Sequence, residues 1–386
     1  MAPAAMSIDE VLCHFKDLED PRSEVNRKHP FVSVVTLSVM GVLAGASGPT
    51  GIATWAKHNH EFLRSLLDLP NGIPGKDVFR RILCALNPEA FQRGFASWLA
   101  GLHAIAGEQL PDGMRQTYAV DGKTLRRSHD KKNGLGALHL VSVWASQCGI
   151  TLAQVATDQK SNEITAIPQV LQLVGLKGAI VTIDAMGTQK AIAAQIVDGG
   201  GDYVLALKGN QESLHDEVVD YAIEQMENDF ADVKAREYKT IDTGHGRVET
   251  RHYIQMPAPK SLSGLNKWKG LRTIGLVILT CLRDGKETSE TRFFISSLAM
   301  GVKQFAKAIR SHWGIENSCH WSLDVTYRED ESRTREPNAR ENLAWLNRFT
   351  LSLLKQHKDK QTVAMRRRVC GWNAKFLVEV LTAQGG

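Results

Sequence analysis

The chain has 386 residues, with 47 Lys and Arg against 42 Asp and Glu, a net charge of +5 with histidine neutral, 43% hydrophobic and 23% charged residues. These figures exclude a disordered tail protein and leave two or three domains as the expectation. Six scattered cysteines without a CxxC pair exclude a disulfide framework or zinc ribbon, and five excess charges do not by themselves identify a nucleic-acid binder.

In chain order, MAPAAMSIDE has no basic stretch followed by an apolar run, so no signal peptide is expected and a reducing cytoplasm is the expected location. Phe31 to Gly48 is eighteen residues without a charge, the lower limit of a membrane span. Its Ser, Thr and Gly content favours a buried core helix. Helical spacing continues through Trp55, Phe62, Leu63 and Leu66, and after the turn signals at 70–75 through VFRRILCALNPEAFQRGFASWLAGL. Residues 1–110 therefore read as an all-helical N-terminal domain. From Thr117 the period changes: three strand-like runs (TYAVDG, ALHLVSVWAS, ITLAQVATD) precede an alternation of helix, strand (AIVTIDA), helix and strand (DYVLAL) over 111–234. This predicts a mixed α/β sheet with helices on its faces. Residues 235–298 read as a β-rich insertion, 299–358 as helices over about 303–322 and 338–357, and 359–386 as a basic helical tail.

Asp121 ends the first strand run and Asp184 the run Val181–Ile183. A carboxylate at such a strand end projects into the crevice where α/β sheets bind ligands, and two can share a divalent cation, although each also reads as an ordinary loop cap. A third carboxylate sharpens the reading. Glu316, His320 and Asp324 fall at i, i+4 and i+8, one face of a helix if it runs that far. A Glu laid across the sheet would complete a three-carboxylate site for two Mg²⁺ ions roughly 3.5–4 Å apart, suited to phosphodiester chemistry. On spacing alone, a solvated helix face over a buried Trp313 explains the pattern equally well.

The blocks TYAVDGKTLRRSHD, TIDAMGTQ, DTGHGRVETRHY, FFISSL and RSHWGIENSCHWSLDVTYREDESRTRE resemble the DDE transposases of bacterial insertion sequences, in the ISAs-type group that includes the H-repeat-associated proteins. The resemblance covers roughly residues 10–357, and AVDGKTLRRS and HWGIENSCHW are its specific blocks. It implies a ribonuclease-H-like mixed sheet with a β-rich insertion, preceded by an associated helical domain that binds DNA in one reading. Carried over, Asp121, Asp184 and Glu316 are the catalytic, metal-binding carboxylates. The implied chemistry is Mg²⁺-dependent hydrolysis at element ends, with two ions for which Mn²⁺ substitutes, followed by attack of the freed 3′-hydroxyl on target DNA. The implied partners are double-stranded DNA, as terminal inverted repeats and target, and a second copy in a synaptic homodimer; the implied location is the bacterial nucleoid. Relatives carry Tyr, Arg and Lys around the Glu where this chain has Ile309, His312 and Leu323, so Arg310 or His312 is expected to take the phosphate contacts.

Lys123, Arg126 and Arg127 flank Asp121, a placement that suits a phosphate backbone. Lys208, after the last core strand, and His245, Arg247 and Arg251, in the insertion, are further candidate DNA contacts. The acidic run 329–331 reads as a solvated loop, and Trp313 and Trp321 as core residues rather than base-stacking platforms. Residues 111–135 hold six Lys or Arg against three Asp, and 301–386 fifteen against nine acids, so the charge excess lies in these two segments. The competing readings are a metal-dependent nuclease of the same fold without joining activity and an inactive DNA-binding remnant.

Overall fold

The structure is a computed structural model and describes residues 7–108, 110–111, 113–157, 163–244 and 246–383. Contacts divide it into two compact units: one holds Met1–Met114, Gly122–Lys160 and Glu316–Gly386, the other Arg115–Asp121 and Ser161–Ile315. Architecturally the molecule is mixed α/β, with a large sheet and many helices.

The first unit opens with helices α1 (Ile8–Cys13), α2 (Phe31–Leu43), α3 (Pro49–His58), α4 (His60–Leu66), α5 (Lys76–Ala85), α6 (Pro88–Gly94) and α7 (Ala96–Glu108). Local chemistry sets their starts. Ser7 and Glu10 form a reciprocal capping box on α1, and the Asn87 side chain accepts from the Ala90 N–H at the start of α6. The apolar run of 31–43 becomes α2 and is buried along almost its whole circumference, as expected for a core helix. Among the described residues no helix is long and apolar enough to cross a membrane.

Strand β1 (Thr117–Leu125) leads into the antiparallel hairpin of β2 (Leu138–Ala145) and β3 (Ile150–Thr157), turned at Gly149 with φ +70°. Leu125, Leu138 and Leu140 pack with Ala344. After these come, in the second unit, α8 (Glu163–Gln172), β4 (Ile180–Ile183), α9 (Lys190–Asp198), β5 (Asp202–Leu207), α10 (Glu212–Glu227), β6 (Arg236–Gly244), β7 (Arg247–Pro257), β8 (Thr273–Arg283), β9 (Lys286–Ser296) and α11 (Val302–Gly314). Their strands lie in the order β1-β4-β5-β9-β8-β7-β6. β1, β4 and β5 are parallel, and β9 joins β5 antiparallel. The predicted β-rich insertion is thus a continuation of the sheet: its four long strands extend the β5 edge rather than folding apart from it. Phe305 and Ile309 of α11 pack on Val204, Tyr253 and Phe294. Gly275 makes room for this, since a Cβ there would overlap the Phe305 ring.

The first unit closes with α12 (Trp321–Val325), α13 (Pro337–Gln356), α14 (Val363–Trp372) and α15 (Ala374–Leu381). α13 is its central helix. Phe349 packs on Phe95 and Trp98, and the Asn342 amide donates to the carbonyls of Leu83 and Leu86. The basic tail is not a free arm. Arg367 is buried, donates to the carbonyls of Val42, Ala46 and Thr326, and stacks 4.0 Å from the Tyr327 ring centroid. Its hydrocarbon stem and its fork of donors are both satisfied inside, which charge counting does not detect.

Candidate active site

Asp121 and Asp184 are placed side by side by the sheet. β1 and β4 run parallel with Thr117 opposite Ile180 and Val120 opposite Ile183, and an aspartate follows each of the last paired residues. Asp184 lies just past β4, but Asp121 does not end its strand as expected, because β1 continues to Leu125 beyond the parallel pairing. Both are partly buried. Asp184 caps the short turn Ala185–Gly187, its carboxylate accepting the Gly187 N–H at 3.3 Å. A Cβ at Gly187 would overlap Ile183 and Ile167, so this turn requires glycine. The following Thr188 hydroxyl donates to the Ala206 carbonyl of β5 at 2.5 Å, and the Gln211 amide donates to the Thr188 carbonyl at 3.0 Å. Because β4 and β5 are parallel, Lys208 emerges exposed at the same end of the sheet.

α11 is tied to β4 near this point. The His312 ring Nδ1 lies 3.0 Å from the Thr182 hydroxyl, two residues before Asp184. Burial pushes the His312 imidazole below its ordinary range, against an upward pull from the Asp184 charge, so the ring is neutral near pH 7.

Four residues on, Glu316 is exposed in a π turn spanning Ile315–His320. This corrects the single-face reading of Glu316, His320 and Asp324. An i→i+5 turn inserts a residue into the α-helical phase, and such turns are frequent at functional sites. α-Helical pairing resumes only in α12, where Asp324 is engaged by the Lys123 ammonium at 2.6 Å. Among the described residues, no three His, Cys, Asp or Glu side chains gather as a metal-binding group; the pair in register is Asp121 and Asp184.

The cations divide sharply. Lys123 is buried between Asp324 and Asp330, at 2.6 and 3.3 Å. Asp330 also accepts from the Arg126 guanidinium at 3.1 Å, while Arg127 is exposed. Arg251 is buried and held by Asp242 and Glu249; Arg247 pairs with Glu249 at 2.9 Å, and Arg310 with Asp242 at 3.6 Å. His245 lies outside the described residues. The reading of 329–331 as a solvated loop is also corrected. Glu329 is fully buried against Arg348 at 2.9 Å, and Asp330 serves Lys123 and Arg126. Glu329 and Asp330 turn inward to these cations, while Glu331 stays exposed beside the exposed Arg328 at 2.6 Å. Trp313 is half-buried beneath the Arg292 guanidinium, 4.7 Å from its ring centroid, and Trp321 is 58% exposed rather than a core residue. Sequence reading missed the Thr182–His312 and Lys123–Asp324 contacts. Their one sequence signal is that Thr182 and Lys123 each stand two residues from a candidate aspartate, Asp184 and Asp121, the spacing of one strand face.

A family model described as "Transposase DDE domain" matches residues 112–354, and one described as "DDE_Tnp_1-associated" matches residues 12–99. The chain is 38% identical over 387 residues to "Putative transposase YncI" of Escherichia coli O157:H7, covering 98% of this chain and 96% of that protein. It is 32% identical to "H repeat-associated putative transposase YhhI" of Escherichia coli strain K12, covering 98% and 100%. Among solved structures, a piggyBac transposase synaptic complex with hairpin DNA matches at a TM-score of 0.42 and 12% identity, covering 97% of this chain and 78% of that one.

Proposed function

The chain belongs to the transposase DDE domain family and is a DDE transposase, and from that premise we propose that Asp121, Asp184 and Glu316 form its catalytic carboxylate set. The observation that carries this is the register of β1 and β4, which brings Asp121, within β1, and Asp184, just past β4, to neighbouring positions where the parallel pairing ends. The N–H of Gly187 orients the Asp184 carboxylate, and the anchored Thr188 keeps that turn against β5. His312, bonded to Thr182, holds the last turn of α11 at β4, four residues before Glu316.

Members of this family generally use divalent metal ions. Hard carboxylate oxygens at a strand-end crevice suit such an ion, with Asp121, Asp184 and Glu316 as its holders. We assign two Mg²⁺, which when bound supply activation of the attacking oxygen and stabilisation of the leaving one. The residues' own part is to position: the sheet fixes two carboxylates, and exposed Arg126, Arg127 and Lys208 contact the phosphodiester backbone. Arg247, Arg310 and His312 add contacts from the sheet extension and α11. The proposed fold is ribonuclease-H-like, supported by the parallel β1, β4 and β5. The reaction is cleavage at element ends followed by strand transfer, carried out on double-stranded DNA by a homodimer at the nucleoid.

The test is incubation of purified protein and Mg²⁺ with DNA carrying the ends that flank the gene, scoring nicks and joined products. Asp121→Asn, Asp184→Asn and Glu316→Gln are each expected to lower cleavage by at least about 10³-fold with DNA binding retained. Normal cutting by Glu316→Gln, with loss in Glu329→Gln, would reassign the third carboxylate. Nicks without joined products would support a nuclease instead.

A further inference from the structure

Helices α3 and α4 and the loop entering α5 enclose a cleft of about 720 Å³. Lys57, His60, Arg64 and Lys76 line it, all of them exposed. No Asp or Glu is among its lining residues, and the nearby Asp77 is taken by Arg80 at 3.4 Å. The helical period explains the convergence. Thr50, Thr54 and Lys57 stand at i, i+4 and i+7 on α3, and His60 and Arg64 at i and i+4 on α4, so each helix turns one face to the cleft. Lys76 begins α5, whose N-cap is Gly75, a residue without a side chain to cap it. Ala53, Ile73 and Pro74 make the remaining wall apolar.

We propose that this cleft is a binding site for the phosphodiester backbone of double-stranded DNA, held by Lys57, Arg64 and Lys76. The inference rests on the transposase reading, which makes DNA the polyanion this chain handles. Three permanent cations come from three successive elements, so charge is spread along the cleft. That distribution matches a repeating backbone, whereas a single phosphate ion is best held by donors converging on one point. The threonine hydroxyls supply neutral donors to phosphate oxygens, and the apolar wall can face deoxyribose. The contact positions DNA without reading bases, because cations and hydroxyls that meet phosphate oxygens carry no sequence information.

The experiment uses full-length protein and a fluorescein-labelled duplex carrying the DNA that flanks the gene, followed by anisotropy across a salt series. For Lys57→Ala/Arg64→Ala/Lys76→Ala, the plot of log affinity against log salt is expected to become shallower by about 2.7, and by about 0.9 for Arg64→Gln alone. Affinity at physiological salt should fall at least about tenfold, while Arg64→Lys keeps the wild-type slope. Wild-type slope and affinity in a folded triple variant would overturn the proposal. Unchanged DNA binding with an altered oligomeric state, read by sedimentation velocity, would assign the cleft to a second copy and overturn it equally. Failure of the wild-type protein to bind any duplex would instead break the transposase reading on which the inference stands. Unchanged salt slopes in Asp121→Asn would separate the cleft from the carboxylate chemistry.

Discussion

The cations of the C-terminal helices and those of the cleft between α3 and α5 look alike in the sequence and do opposite things in the fold. Arg340, Arg348 and Arg367 are all buried, each donating to named oxygens: Arg340 to the carbonyls of Ser128 and Gly136, Arg348 to Glu329, Arg367 to three backbone carbonyls. Lys57, Arg64 and Lys76 are exposed, with no acid lining the cleft they share. The difference teaches that a basic segment becomes a surface field only where acceptors are missing. The fifteen Lys and Arg of 301–386 are partly structural, so the charge excess read there overstates what a DNA backbone can meet.

The comparison is broken most severely at Arg348. Its guanidinium and the Glu329 carboxylate are both without solvent exposure, and Asn347 adds a donor to the same carboxylate oxygen at 3.3 Å. Removing one partner leaves a buried, uncompensated charge. Arg348→Ala is therefore expected to cost about 3–5 kcal/mol, read as a lowered midpoint in urea unfolding, while Arg348→Met with Glu329→Leu recovers most of it. If the single substitution costs under about 1 kcal/mol, the pair is not holding α13 to the segment at 329.

How much of this was legible follows from what each residue pattern encodes. Helical spacing and turn signals carry the N-terminal helices, and strand-like runs carry the order of β1, β4 and β5 with Asp184 just past β4, whereas Asp121 lies within β1, which runs on to Leu125. Those features are local and survive in one dimension. The π turn at Ile315–His320 was not legible, because Glu316 and His320 satisfy an i, i+4 spacing whichever backbone they adopt. The inward turn of Glu329 and Arg367 was hidden for another reason. Charged residues read as solvated until the partner that neutralises them is known, and those partners lie 19 residues away for Glu329 and more than 320 away for two of the carbonyls on Arg367.

A second acid sharpens the rule by lacking such a partner. Burial pushes the Glu341 carboxyl up to about 7 from an ordinary 4.5, opposed by the neighbouring Arg340 charge and reinforced by Glu89. Arg340 gives its donors to carbonyls rather than to this carboxylate. A carboxyl whose folded pKa is raised holds more protons folded than unfolded between 4.5 and about 7, so its contribution to stability falls as pH rises through that window. Glu341→Gln is expected to stabilise the protein by about 1–3 kcal/mol at pH 8 and to be nearly neutral at pH 4, with thermal unfolding at the two pH values as the measurement. Equal shifts at both would place the effect in packing instead.

The smallest expected effect is the most diagnostic. Lys57, Arg64 and Lys76 project into solvent with no acid lining their cleft, so truncating any one of them removes no buried contact. Each substitution to Ala should leave folding stability within about 0.5 kcal/mol of wild type, measured in the same urea titration that detects the loss at Arg348. A small gain from relieved repulsion among like charges is compatible with that range. A loss above about 1 kcal/mol at Arg64 would mean that its guanidinium is holding α4 in place. The cleft cations would then join Arg348 and Arg367 as structural charges, and the inward and outward sets would cease to differ.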